Sequence, residues 1–245
     1  MHILIPLIVG IISGLAINYL ADVLPETRRF SQPVCPSCDE NYPIRDYISI
    51  QKCPTCGNKR TIRTYAVLFA AISFSVLLQF FPLFRLGLWA SVPILIYLLT
   101  ILVIDYEHRL VLFETTLFGL VLCLVYGLIL HDFSSTLIGG LAGFTIMLLF
   151  YLLGKGFSKI IGYVRRKEID EVAFGFGDVS LGTVLGLLVG WPGILGAIFI
   201  SMIAFVAFAV LYLIILIFLG KYRAFSNTLP FTFFLVLGAI AIFYL

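Results

Sequence analysis

Charge is what this chain lacks. Lys, Arg, Asp and Glu supply 12% of its 245 residues and apolar types 61%, where a soluble domain of this length carries about a quarter charged residues. That scarcity excludes an ordinary soluble domain. The apolar residues come in blocks of about twenty, the length of a helix that crosses a bilayer. An internal repeat, a low-complexity segment and a Gly-rich nucleotide loop after a strand are also missing. The opening run MHILIPLIVGIISGLAINYLADVL has neither a basic n-region nor a small-residue cleavage site. It is therefore expected to be a first span and not a cleaved signal.

The blocks predict an all-α polytopic membrane protein with about eight transmembrane helices, near residues 3–24, 64–82, 87–105, 111–131, 135–155, 177–190, 193–219 and 229–245. The sixth block runs only from the GFGD stretch to Trp191-Pro192-Gly193, so it should be tilted or partly shielded by protein. Basic residues near span ends stay on the cytoplasmic side. The loop after the first span holds Arg28, Arg29, Arg45, Lys52, Lys59, Arg60 and Arg63, and the loop after the third holds Arg109. Lys155, Lys159, Arg165, Arg166 and Lys167 follow the fifth span, Lys221 and Arg223 the seventh, leaving only Arg85 on the other side. Eight spans with both termini outside fit this alternation. Three parts are expected: a first transmembrane helix (1–24), a small cytoplasmic loop (25–62) and a transmembrane region (63–245).

The loop contains CPSC (Cys35, Cys38) and CPTCGNK (Cys53, Cys56), with fourteen residues between the pairs. Two Cys-x-x-Cys turns can wrap one metal in a tetrahedron of thiolates suited to Zn²⁺. A redox dithiol or unmetallated cysteines are the alternatives, and a reducing cytoplasm disfavours disulfides. A four-thiolate site has no open position, so its role would be structural: to fold a loop too small for its own core. Cys123 lies inside an apolar block and reads as a packing residue.

Carboxylates at membrane depth are functional candidates. Asp22 follows Asn18 by one helical turn, Glu114 lies in the first turns of the fourth block, and Asp132 falls in an outer turn. Asp105, in LVIDYEHRLV, and Asp178, in DEVAFGFGDVSLG, fall at the expected cytoplasmic ends of their spans. If those spans are neighbours, the two face each other at a membrane-level cleft. Close carboxylates share a proton: one then activates a water while the other polarises a scissile carbonyl, which is aspartic-protease chemistry. Gly175 and Gly177 are expected to let the backbone bend tightly and admit a substrate strand, with Asp178 at a helix N-terminus.

The GFGD stretch is similar to the Gly-x-Gly-Asp motif of membrane aspartic proteases, and the chain as a whole resembles the type IV prepilin peptidases. Ala173 through Leu181 matches the family's A-x-G-x-G-D-x-K-L block, and Ile104-Asp105-Tyr106-Glu107 its first aspartate motif. The two cysteine pairs, Asn41-Tyr42-Pro43 between them, GLAINYLADVLP, and Pro230, Phe231, Phe234 and Leu235 extend the likeness over nearly the whole chain. Three positions depart from it. Ser180 replaces the lysine, Phe113-Glu114 replaces Pro-Asp, and IRTYAVLF replaces R-Y-P-x-V-E, with Phe69 at the glutamate.

The resemblance implies an endopeptidase of the bacterial inner (cytoplasmic) membrane, active on the cytoplasmic side. It would remove the basic leader of type IV prepilins or pseudopilins after a glycine. Asp105 and Asp178 would be catalytic, Gly175 and Gly177 the backbone motif, and Cys35, Cys38, Cys53 and Cys56 the Zn²⁺ ligands. Membrane lipid is the other partner, and no nucleic acid is implied. The family also N-methylates the new N-terminus from S-adenosylmethionine; with Phe69 at the glutamate position, cleavage with weak or absent methylation is expected. Two rivals make other demands. A proton or ion transporter needs polar residues through the middles of its spans, and here those middles are apolar. A presenilin-type intramembrane protease carries its first aspartate deep in a span and lacks a cysteine loop.

Overall fold

In lipid every backbone polar group must find its partner within the chain, so long apolar runs become helices. The computed structural model describes residues 3–35, 37–82, 86–165, 175–220 and 231–244, with side chains from 160 to 165 excepted. Nine helices occupy the described residues: α1 (Leu4–Thr27), α2 (Ile44–Ile48), α3 (Ile62–Phe80), α4 (Leu88–His108), α5 (Phe113–Leu130), α6 (Phe133–Arg165), α7 (Phe176–Val189), α8 (Gly193–Phe218) and α9 (Phe231–Tyr244). They form two compact units, residues 1–108 and 109–245. All eight expected spans have a helix. Six of them (α1, α3, α4, α5, α6 and α8) are long and apolar enough to cross a membrane, as a multi-pass membrane protein requires.

In the first unit α1 packs against α3 and α4, and α3 against α4. Ile17, Val67 and Ala71 form its centre, with Ile96, Leu99 and Val103 around them. Polar groups lock the α1–α3 contact from end to end. Ser75 Oγ donates to the Pro6 carbonyl at 2.8 Å, and Asn18 Nδ2 donates to the Thr64 carbonyl at 3.3 Å. Helix α1 runs three residues past the expected boundary, through Pro25, and ends at Arg28, whose left-handed φ of 52° returns its N–H to the Leu24 carbonyl. Helix α4 likewise outruns its expected end at Asp105, which therefore sits one turn inside the helix.

The second unit is built around α7. At 14 residues this helix rises about 21 Å and cannot by itself cross a hydrocarbon core of about 30 Å. Helices α5, α6, α8 and α9 pack around it, and nearly every residue from Val179 to Val189 is buried, so protein and not lipid surrounds most of it. The expected shielding of this segment is what the fold provides. Gly139 and Gly143 of α6 meet Gly182 and Gly186 of α7: an added Cβ at Gly139, Gly143 or Gly186 would run into the backbone of the facing helix, and one at Gly182 into the Met147 side chain. Small residues thus let the two backbones touch, the usual basis of helix association in lipid. Cys123, on α5, is fully buried, as its packing role requires. Helix α7 stops at Gly190, φ 72°, and Ser135 holds the following turn: its carbonyl accepts the Trp191 N–H at 2.9 Å and its Oγ donates to the Trp191 carbonyl at 2.7 Å.

Candidate functional site

The cysteine loop contains a short repeat that composition did not reveal. Cys35 N–H donates to the carbonyl five residues on (Glu40, 2.9 Å), and the Cys35 carbonyl accepts the N–H four residues on (Asp39, 2.9 Å). Cys53 makes the same pair with Asn58 (3.0 Å) and Gly57 (2.9 Å). The residue four on from the first cysteine has positive φ in both turns, 54° at Asp39 and 69° at Gly57. Asx and Gly tolerate that left-handed turn best. Asn58 Nδ2 joins the two knuckles through Ser37 Oγ at 2.5 Å. A small core of Cys35, Tyr42, Tyr47 and Cys53 lies beneath, with Tyr19 of α1 against it.

The four sulfurs all lie within 4.8 Å of one another. Cys35 Sγ is 3.7 Å from Cys56 Sγ, and Cys38 Sγ is 3.8 Å from Cys53 Sγ. A tetrahedral Zn²⁺ with bonds of about 2.3 Å sets its thiolates about 3.8 Å apart, whereas a disulfide needs about 2.05 Å. The donor set therefore fits Zn²⁺, and all four thiols are free of disulfides. Backbone N–H groups of Cys56 and Thr55 lower the Cys53 thiol, while at Cys38 and Cys56 the backbone N–H groups are outweighed by burial and neighbouring sulfurs, which raise both.

Between this loop and the helix ends lies a polar cluster. Asp22, near the end of α1, accepts hydrogen bonds from Tyr47 Oη and from Arg63, and pairs with Arg60 at 3.5 Å. Arg63, at the start of α3, also donates to Glu107 at 2.5 Å and approaches Asn18 Oδ1 at 3.5 Å. The Arg60 guanidinium lies 3.7 Å from the Tyr47 ring centroid, a cation–π distance. Burial first, then the Asp22 charge, raises the Tyr47 phenol above its ordinary range. Sequence reading noted Asp22 and Arg63 separately; the signal that could have joined them was Asn18 and Asp22 sharing one face of α1, one turn apart.

Asp105 is half-buried on α4. Ile104 before it is buried, Tyr106 after it is 78% exposed, and Glu107 is held by Arg63. Asp178 belongs to the second unit, as the third residue of α7. Its Oδ2 accepts the Gly175 N–H at 3.0 Å and its own N–H donates to the Gly175 carbonyl at 3.1 Å, the half of a capping box that a glycine N-cap permits. Its Oδ1 accepts a hydrogen bond from Thr232 Oγ1 on α9 at 3.1 Å. Sequence reading did not single out Thr232, although it lies between Phe231 and Phe234 of a quoted motif.

The glycine expectation needs correcting. Gly175 is extended (φ −80°, ψ 160°) and Gly177 is helical, so neither makes a tight bend that only glycine allows. Gly177 is needed for space instead, since a Cβ there would meet Val111 Cγ2 at 2.6 Å. At Ser180 the hydroxyl turns back to the Phe176 carbonyl at 3.4 Å. Glu114 begins α5 with its Oε2 buried and without a hydrogen bond among the described residues. Arg85, Arg166, Lys167, Ala173, Lys221, Arg223 and Pro230 lie outside the described residues.

Helices of this length and apolarity, one of them short and enclosed with a carboxylate braced at its N-terminus, define a polytopic membrane protein with a polar site built into its helix ends. Residues 92–245 match the model of the type IV leader peptidase family, and the chain belongs to that family of peptidases. No curated protein and no solved structure matches the chain.

Proposed function

We propose that the chain is an aspartic endopeptidase that removes the leader of type IV prepilins or pseudopilins at the cytoplasmic face of the bacterial inner membrane. The observation that carries this reading is the bracing of Asp178. Both its oxygens accept hydrogen bonds at the N-terminus of a protein-enclosed helix, within the segment that matches the leader peptidase family. Asp105, in the same segment, is the second carboxylate. One of the pair takes a proton from the attacking water while the other donates to the scissile carbonyl, so that both the nucleophile and the developing oxyanion are served. The knuckle carrying Cys35, Cys38, Cys53 and Cys56 would hold Zn²⁺ structurally, since four thiolates leave no coordination site for a water.

Cleavage is proposed to proceed with little or no N-methylation. Phe69 on α3 stands where the family has its glutamate and is 74% exposed, with no group that could accept the proton of an amine. Asp22 and Glu107 are both engaged by Arg63. This set of residues offers S-adenosylmethionine no base for the amine.

The test is incubation of membranes with a prepilin, followed by mass spectrometry of the product. Cleavage after the glycine that precedes the hydrophobic helix is expected, without added mass. A cut within that helix would favour a presenilin-type protease instead. A gain of one methyl group, about 14 Da, only when S-adenosylmethionine is supplied would refute the view of Phe69.

A further inference from the structure

We infer that Thr232 is a positioning residue for Asp178, holding the carboxylate plane in its working orientation through the hydroxyl on α9. The inference rests on the reading of Asp178 as a catalytic carboxylate.

The hydroxyls of this protein show what Thr232 does differently. Thr100, Thr145, Thr183 and Ser201 each donate to the carbonyl four residues back in their own helix, the ordinary way for a hydroxyl to be satisfied in an apolar helix. Ser75 crosses from α3 to the Pro6 carbonyl of α1, whereas Thr232, in the first turn of α9, crosses to a carboxylate oxygen of α7. Thr232 is 2% exposed, so bulk water has little access to the hydroxyl.

The neighbours of Thr232 are fixed as well. Phe231 and Phe234 are buried, and the Phe205 ring of α8 meets both edge-on, with centroids at 5.5 and 5.4 Å. The start of α9 is thereby clamped, and Thr232 is presented from a rigid support. Opposite, Gly175 N–H holds the other carboxylate oxygen from the N-cap of α7. Two donors from two elements, one on each oxygen, restrict rotation about the last side-chain bond of Asp178. A reacting carboxylate gains most from such restraint, because small errors in its orientation cost large factors in rate.

The experiment uses full-length enzyme in detergent, with cleavage of a prepilin followed over a range of substrate concentrations. Thr232→Val keeps the shape and removes the hydroxyl, and it should lower kcat about tenfold or more with KM nearly unchanged. Thr232→Ser restores the donor and should recover most of that loss. Should the valine variant fail to accumulate, Thr232→Ala carries the same expectation against the serine variant. Full kcat in the variant lacking the hydroxyl, a change confined to KM, or a serine variant as poor as valine would each overturn the inference. Asp178→Asn, run in parallel, separates the two levels: if it is inactive while Thr232→Val is normal, only the role of Thr232 fails. If Asp178→Asn is active, the peptidase assignment of Asp178 falls, and the role of Thr232 falls with it.

Discussion

Arg63 donates to Glu107 at 2.5 Å, tying the first turn of α3 to the last turn of α4. The same guanidinium holds Asp22 at the end of α1, and Asp22 in turn accepts from Tyr47 beneath the cysteine knuckles. Three helix ends and the cysteine loop thus meet on two carboxylates and two arginines.

Arg63→Ala should therefore destabilise the first unit. Among the described residues it leaves Asp22, whose side chain is 22% exposed, with only the more distant Arg60 as a cation. The expected cost is about 1–3 kcal/mol, that of a partly buried charged group losing its hydrogen bond. Arg63→Lys should recover part of it, since an ammonium lacks the planar fork that serves two carboxylates at once. Thermal unfolding of purified protein measures the difference, and an unchanged midpoint for the alanine variant would show the cluster to be energetically idle.

Tyr47 carries a pH signature. Its phenol is raised above the ordinary 10 by burial and by Asp22, so the folded loop keeps a proton that the unfolded chain releases above about pH 10. The unfolded state then binds fewer protons, and stability falls as pH rises through that range. Limited proteolysis of the 25–62 loop should accelerate above pH 10 in the wild type. In Tyr47→Phe this added sensitivity should be lost, although the loop is weaker at every pH for want of the hydrogen bond to Asp22.

Metal removal should open the loop and spare the rest. Cys35→Ser or a strong chelator should increase protease sensitivity within 25–62, because four-thiolate binding energy is folding energy for so small a segment. Peptidase activity should fall only partly. Freshly purified protein free of zinc by elemental analysis would contradict the metal assignment.

Asp105→Asn and Asp178→Asn should each abolish cleavage without unfolding the protein, and the double variant should be no worse than either, as for groups that act as a unit. Glu107→Gln and Glu114→Gln should retain more activity. An Asp105→Asn enzyme with near-normal turnover would remove that residue from the mechanism.

Gly186→Val tests the packing of α7. Its Cβ would collide with the Gly139 carbonyl backbone of α6, which no rotamer change relieves, and overpacking of this kind costs about 1–3 kcal/mol or more. Loss of thermal stability with parallel loss of activity is expected. Tolerance of valine would mean that α6 and α7 are free to move apart at this crossing.

The sequence by itself determined the helical membrane class, because a bilayer leaves a long apolar run no other way to satisfy its backbone. It also determined the metal-ready loop, because the four cysteines occur as two local turns whose spacing suits a single ion. The place of Asp178 at a helix start was legible for the same reason, since that start lies in its own neighbourhood of sequence. Tertiary structure decided what depends on distant residues. Thr232 stands 54 residues from the carboxylate it donates to, and Arg63 stands 44 residues from Glu107. No local pattern of hydropathy fixes such partners. The need for Gly177 also emerged only in three dimensions, since a close approach by Val111 leaves no mark on backbone preference. Local periodicity reports which face of a helix is apolar, and only packing reports what meets that face.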